Sequence, residues 1–484
     1  MQGTKVLYKG SDNESSDSDI IMPVAKRVRR MITDESSEEE STTRQAWIWQ
    51  EVPNTPIIWK YSENHGIEAS VLNNLSANPR ILDLFFITFD NKFWEILVTE
   101  TNRFADQTLH DERKKRYVDD TWYSVTSDEI KAYYALCILM GQVKKSNIQL
   151  YWTRRGVLET PIFRQTMPFK RFRQISRFLH FSDNETDNSK DRLRKIRPVI
   201  NFWNQKFKEI YTPSEYVSID ESLMKYKGRL AYKQFNPSKR ARFGIKIYKL
   251  CEASTGFCYQ FKIYTGQDKI DRNDSESENV TIELSKSIIN KGYTLFLDNW
   301  YSSPNLFLKL HQRKTNVIGT VRKNRKNMPQ DLQKHILKKG EFMWRSCNNL
   351  IALRWKDKRD VYMLSTKHKT IEMVEESNKQ LQKVMKPKCI VEYNKGMGEV
   401  DRQDQALACF PIMRKAMKGY RKLFFYISDM ALFNTYIMQK TIYSRKRETY
   451  VDYRVNIAKA ILQIVKLPDN KMRGKSSVET PLRL

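Results

Sequence analysis

The stretch "TLFLDNWYSSPNL", residues 294–306, runs apolar up to Asp298, turns polar, and then reads as a helix start. An unbroken apolar run of this length marks a strand covered on both faces, as in the middle of a sheet flanked by helices. Ser303 is placed to cap the next helix, with Pro304 at its first position and Leu306, Phe307 and Leu310 on its buried stripe. The fold therefore delivers one carboxylate, Asp298, to the tip of a buried strand.

Working outward, residues 215–325 keep a period of two. "YVSID" is a short strand, "FGIKIYKLCE" and "FCYQFKIYTG" alternate around an "STG" turn, and Phe257, Tyr259, Phe261 and Ile263 share a face, so a β-meander is expected. A polar loop at about 267–279 leads to a helix carrying Val280, Leu284 and Ile288, and "NVIGTV" forms a strand after the Ser303 helix. Three antiparallel strands, a helix, then strand, helix and strand make a mixed α/β arrangement. Residues 331–395 are Lys-rich with short strand-like pieces, "LIALRW" and "VYMLST", and read as a separate insertion.

Helical signals dominate from about 81 to 210. Asp90 can cap a helix carrying Phe93, Ile96 and Leu97, and Thr126 with Glu129 forms a capping box. Pro168 suits a first helical position, with Phe172, Ile175 and Leu179 on one face of the helix. Arg171, Arg173 and Arg177 lie off that face and read as phosphate contacts or as a solvated surface. "KLFFYISDMALFNTYIM", near the C-terminal end, is apolar almost all round and belongs in a bundle.

Composition limits the partners. The net charge is +29 and the pI about 9.7, and such a surface condenses on polyphosphate with release of counterions, so nucleic acid is the first partner to consider. Residues 1–45 run the other way, with seven Lys and Arg against nine Asp and Glu, leaving 78 against 47 in the remainder. That segment, rich in Ser and acidic runs around "AKRVRR", reads as a disordered acidic tail carrying a candidate nuclear import signal, Lys26–Arg30. No apolar run approaches a membrane span and none follows the first Met, so an intracellular protein is expected. The six cysteines never form a CxxC and the six histidines are scattered, which argues against disulfides and zinc.

Three acidic blocks stand out by position. Asp220 ends the first strand, Asp298 ends the buried one, and Asp401 and Asp404 lie at i and i+3 near a helix start, on one face. Strand-end carboxylates point into the crevice where open α/β sheets hold ligands. Two unit charges about 4 Å apart repel by roughly 1 kcal/mol in water and about 4 kcal/mol at an effective dielectric near 20, so converging carboxylates call for a cation. Oxygen-only donors select hard ions, Mg²⁺ above all. Two such ions can activate an attacking oxygen and stabilise a leaving one in phosphoryl transfer. Read singly, each Asp is as well explained as a turn, a cap or a first-turn carboxylate.

The blocks "VSIDESLMKYKGRLAYKQFNPSKRARFGIKIYKLCEASTGF", "TLFLDNWYSSPNLFLKL", "VIGTVRKNRKNMP" and "VEYNKGMGEVDRQDQ" closely resemble the piggyBac family of DDE/D transposases and their derived genes, in order from about residue 81 to 463. The resemblance implies an RNase H-like catalytic domain with a mixed sheet and an insertion, flanked by a helical dimerisation and DNA-binding domain drawn from both ends. The expected boundaries are 1–60 for the tail, 61–210 helical, 211–330 catalytic, 331–395 insertion, 396–411 last catalytic helix, 412–465 helical again, and 466–484 tail. The family's catalytic aspartates fall on Asp220, Asp298 and Asp401, and a further acidic position on Asp404, together implying a site for two Mg²⁺ ions with Mn²⁺ as a substitute. The resemblance also implies a nuclear homodimer that cuts at transposon ends and inserts at TTAA.

Basic residues around this site read as backbone clamps for DNA: Lys225, Lys227, Arg229, Arg240, Arg242, Lys246, Arg322, Lys323, Arg325, Lys326, Arg414 and Lys415. Two departures from the family pattern bear on activity. The sequence to Leu484 shows no cysteine-rich zinc module of the kind that recognises transposon ends, and Gly419 stands where the family commonly has Trp, a glycine expected inside a helix at a cost of about 1 kcal/mol relative to Ala. Beside an active transposase, the expectations therefore include a domesticated DNA-binding protein without transposition and, on the same fold, an RNA-directed nuclease.

Overall fold

Helix starts in the first half follow the capping signals. The structure, a computed structural model, describes residues 47–111, 121–185, 190–237, 242–266, 275–377, 383–412, 418–443 and 448–468. After α1 (Ile81–Thr88), α2 (Asn91–His110) begins where Asp90 accepts the Phe93 amide at 3.1 Å. The Thr126–Glu129 box opens α3 (Ser127–Gln142). α4 (Phe169–Phe178) starts one residue later than expected, with Pro168 as its N-cap, and α5 (Arg197–Ile210) carries a proline in its first turn. These helices meet in an aromatic core, with the Phe89 ring centroid 4.9 Å and the Phe93 centroid 5.0 Å from Trp203.

Arg171 does not face solvent or phosphate. Its guanidinium is buried, donates to both oxygens of Glu129 at 2.7 and 2.8 Å, and lies 3.6 Å from the Tyr123 ring centroid. The ion pair joins α4 to the first turn of α3. Arg173 and Arg177 remain exposed.

The sheet contains nine strands among the described residues: β1 (Tyr216–Lys225), β2 (Gln234–Phe235), β3 (Phe243–Glu252), β4 (Cys258–Ile263), β5 (Thr294–Leu297), β6 (Asn316–Thr320), β7 (Phe342–Cys347), β8 (Leu350–Lys356) and β9 (Asp360–Ser365). Their order is β2-β3-β1-β5-β6-β9-β8-β7, with β4 also paired to β3. β1, β5 and β6 are parallel and the other pairings antiparallel. The expected meander is β1, β3 and β4, and the expected mixed α/β layering holds. α6 (Glu276–Ser285) precedes β5, and α7 (Pro304–Gln312), capped by Ser303, crosses from β5 to β6.

Residues 331–395 do not stand apart as the sequence suggests. β9 pairs with β6, Met363 opposite Thr320 and Ser365 opposite Ile318, so β7 to β9 extend the central sheet. The physical reason is that β6 would otherwise present an unpaired edge, and "LIALRW" is buried from Leu350 to Trp355 just as the central strand is. Off the sheet, β10 (Met373–Ser377) pairs with β11 (Lys383–Pro387) in a two-stranded ribbon. Residues 47–60, grouped with the tail by composition, are bound to the sheet region: Gln50 bridges Ser346, and Trp59 exchanges hydrogen bonds with the Asn316 side chain.

α8 (Lys388–Gly396) and α9 (Glu399–Cys409) lie on one sheet face, and α10 (Gly419–Tyr443) and α11 (Tyr450–Ile464) complete the core with α1 and α3. Helices from both ends share a single apolar cluster with β3 and β4, so Trp47–Leu484 is one compact unit. Gly419 is the first residue of α10 rather than an interior one, so the helix-interior penalty does not apply. A Cβ there would lie 3.3 Å from the Tyr226 hydroxyl and 3.5 Å from Leu230, so a side chain at this position would press against Tyr226.

Gly396 is required by close approach. A Cβ would come within 2.3 Å of the Phe296 ring, two residues before Asp298. We expect Gly396→Ala to lower stability by about 1–3 kcal/mol through overpacking, read as a fall in the urea midpoint. Arg171→Met leaves the Glu129 carboxylate buried and unpaired and should cost about 3–5 kcal/mol. The salt dependence of DNA binding should stay unchanged in the folded variant, whereas a phosphate-contact role would reduce it.

Candidate active site

Strand register assembles the first part of the site. β1 and β5 pair in parallel from Tyr216 with Thr294 to Ile219 with Leu297, so Asp220 and Asp298 come next as neighbours on strands about 4.8 Å apart. Asp298 directly follows β5, whereas Asp220 does not end its strand as the sequence suggests but lies inside β1, which continues to Lys225 along β3. Val217, Ile219, Leu295 and Leu297 point into the core beneath the opposite face. By the period of two, Asp220 and Asp298 share the other face with Phe296, where α8 and α9 pack. Both aspartates are half-buried.

Their neighbours orient them. Asp298 Oδ1 accepts from the Thr320 hydroxyl at 3.1 Å, and Thr320 lies 3.3 Å from the Tyr393 hydroxyl. Since the threonine proton is used on Asp298, the phenol donates to Thr320, giving a relay Tyr393–Thr320–Asp298. Burial, followed by the charges of Asp298 and Asp220, pushes the Tyr393 phenol well above its ordinary pKa, so the donor keeps its proton. Asp220 Oδ1 accepts the amide of Glu221 at 2.8 Å, and the Glu221 carboxylate accepts from Tyr301 at 3.0 Å.

The helix-borne acids behave differently. Asp401 is exposed on the first turn of α9. Asp404 Oδ1 accepts from Ser222 at 2.7 Å, Lys249 at 2.8 Å and Tyr426 at 3.1 Å. Lys249 is fully buried and stands opposite Asp220 in the β1–β3 register. Burial alone would lower its pKa, but the Asp404 carboxylate outweighs this and holds the ammonium above its ordinary value. Among the described residues, no three His, Cys, Asp or Glu side chains gather closely enough to cage a metal. The structure thus brings Asp220 and Asp298 together, leaves Asp401 outside a three-acid cluster, and ties Asp404 to a lysine. The oxygen-only pair still suits one hard divalent ion, since Mg²⁺ is commonly held by one or two carboxylates with water and substrate phosphate completing the shell.

Of the basic positions, Lys225, Lys227, Arg229, Arg242, Arg322, Lys323 and Lys326 are exposed. Lys246 sits 4.1 Å from the Trp300 ring centroid. Arg325 is a brace for the loop after Asp298, donating to the carbonyls of Asn299 and Trp300 at 2.9 and 2.8 Å. Arg240, Arg414 and Lys415 lie outside the described residues. Sequence reasoning missed Lys249, Thr320, Tyr393 and Tyr301. For Lys249 a signal existed, a lysine at an inward position of the alternating strand "FGIKIYKLCE"; the others carried none.

The profile of a family described as "Transposase IS4" matches residues 81–436. The human piggyBac transposable element-derived protein 2 is 25% identical over 98% of this chain and 78% of its own length. The human piggyBac transposable element-derived protein 3 is 26% identical over 77% of this chain, which spans 63% of that relative. A cryo-EM structure of a piggyBac transposase synaptic complex with hairpin DNA superposes with a TM-score of 0.73 at 22% identity, covering 83% of each chain, and so shares the fold. With the family profile spanning most of its length and piggyBac-derived proteins among its relatives, the chain belongs to the IS4 transposase family, in the piggyBac group.

Proposed function

We propose that this protein is a metal-dependent DNA transposase that cuts DNA strands at transposon ends and transfers them into TTAA targets. The observation that carries the reading is the side-by-side placement of Asp220, within β1, and Asp298, just past the end of the parallel strand β5, in a chain of net charge +29. On this reading the mixed sheet is an RNase H-like catalytic domain, and the helices from both ends form a DNA-binding and dimerisation domain of a nuclear homodimer. DNA as partner is supported by the likeness to a transposase whose solved complex contains hairpin DNA.

Asp220 and Asp298 would hold the divalent ion, Mg²⁺ with Mn²⁺ as substitute, and Asp401 would join them at a second ion. Such an ion, when bound, lowers the charge on the attacking and leaving oxygens of phosphoryl transfer. Thr320 and Tyr393 fix the direction of the Asp298 carboxylate, and Arg325 holds the loop behind it. Lys225, Lys227, Arg229 and Arg242 extend past the acids on the exposed end of β1 and beside it, where a DNA backbone would lie.

A second reading, a domesticated DNA-binding protein without transposition, is favoured by two observations: Asp404 is neutralised from within by Lys249, and the described acids form no three-membered cluster. The human relatives, named as transposable element-derived proteins, fit it as well.

Nicking of a DNA end bearing a TTAA flank separates the two. We expect Mg²⁺-dependent cleavage by the native chain and none by Asp298→Asn; equal cleavage by both would reject the transposase reading. Thr320→Val, which removes the orienting hydroxyl, should reduce the nicking rate about 10–100-fold. Lys225→Gln and Arg242→Gln should each lower the slope of log affinity against log salt by about 1, measured by fluorescence anisotropy on duplex DNA.

A further inference from the structure

Among the described residues, Lys249 is the one lysine that is fully buried. It lies on the sheet face of the acid pair, opposite Asp220, and its ammonium is 2.8 Å from Asp404 Oδ1 and 2.8 Å from Gln403 Oε1. Gln403 in turn donates to the carbonyl of Gly256 at 3.0 Å, in the turn between β3 and β4. Asp404 Oδ1 also receives the hydroxyls of Ser222 and Tyr426. A carboxylate oxygen offers about two lone-pair directions, so three donors fill Oδ1, and with the Lys249 ammonium holding the carboxylate's charge only Oδ2 is left unbonded. Ser222 is two residues beyond Asp220 on the same face of β1, and Asp401 is one helical turn before Asp404 on α9.

We propose that Lys249 is the permanent counter-cation of Asp404, and that Asp404 is a positioning residue rather than a metal ligand. The pair keys α9 onto β1 and β3, and so fixes the helix that carries Asp401. A buried ammonium that lost its carboxylate would remain as an uncompensated charge, so the link stays closed whatever ion occupies the acid pair. The inference rests on the reading of Asp220 and Asp298 as a metal-holding pair and changes which residues complete it.

The test uses the full chain. Mn²⁺ affinity is measured by electron paramagnetic resonance, thermal melting is followed in EDTA, and nicking kinetics are recorded for the native protein, Asp298→Asn, Asp404→Asn and the double variant Asp404→Asn/Lys249→Met. Asp298→Asn should weaken Mn²⁺ binding at least about tenfold, whereas Asp404→Asn should leave it within about threefold. Asp404→Asn should lower the melting temperature, and the double variant should regain most of it, because neither charge is then buried alone. In the refolded double variant kcat should fall about tenfold or more at unchanged KM for DNA, the mark of a displaced Asp401. Weakening of Mn²⁺ by Asp404→Asn to the same degree as by Asp298→Asn would make Asp404 a ligand and overturn the proposal, as would native kcat in the double variant. Failure of the metal reading itself looks different, with Mn²⁺ binding untouched by Asp298→Asn, and takes the positioning role down with it.

Discussion

The parallel pairing of residues 216–219 with 294–297 is the constraint on which the site depends. Val217 and Ile219, with Leu295 and Leu297, are fully buried on one face, and a slip of one residue would turn the two on the slipped strand toward the opposite side. Apolar burial therefore sets the register, and the register sets two carboxylates beside each other where the parallel pairing ends. The acids do not choose their own proximity. Their repulsion, roughly 1–4 kcal/mol depending on solvent access, is small against four buried aliphatic side chains worth about 1.5–3 kcal/mol each.

The opposite face is where the charge of the molecule becomes specific. Apolar packing on it divides into two clusters, one over β3 shared with the helices and one over β6 and β8. Asp220 and Asp298 stand at the seam, and α9 lies there too. The protein repeatedly locks such seams with a cation turned inward: Lys249 on Asp404, Arg171 on Glu129, and Arg454 on Asp429 at 2.5 Å. Each pair joins segments far apart in sequence, and each is a poor source of net stability but a stringent condition on geometry, since either partner alone would be a buried charge.

What the sequence disclosed follows from the same distinction. Features generated by neighbours along the chain were legible: the apolar run ending at Asp298, the caps at Asp90, Thr126 and Ser303, the meander, and the burial of α10. Features generated by partners across space were not. Arg171 lies off the apolar face of its helix by periodicity, but its partner Glu129 is 42 residues away. Asp401 and Asp404 were rightly placed on one face, yet nothing local says that a lysine 155 residues earlier already occupies Asp404. "LIALRW" had the same unbroken apolar character as the central strand and was misplaced because lysine-rich flanks outweighed it. In residues 47–60, three tryptophans together with Ile48, Ile57 and Ile58 carried the signal of packing.

The two halves of the site are held in different ways. The strand tip at Asp298 is pinned by Thr320, by Arg325 on the carbonyls of the next two residues, and by Lys246 against Trp300; the Asp220 side is tied through Glu221 to Tyr301. Asp401 has no such collar: it is exposed, and α9 begins at Gly398 without a side-chain cap. Its position is inherited from Asp404 one turn later. Preorganised oxygens on the sheet and a helix-borne oxygen keyed through one buried ion pair mean that adjustment to a bound phosphate falls on the helix, because the sheet-borne pair cannot move without breaking register.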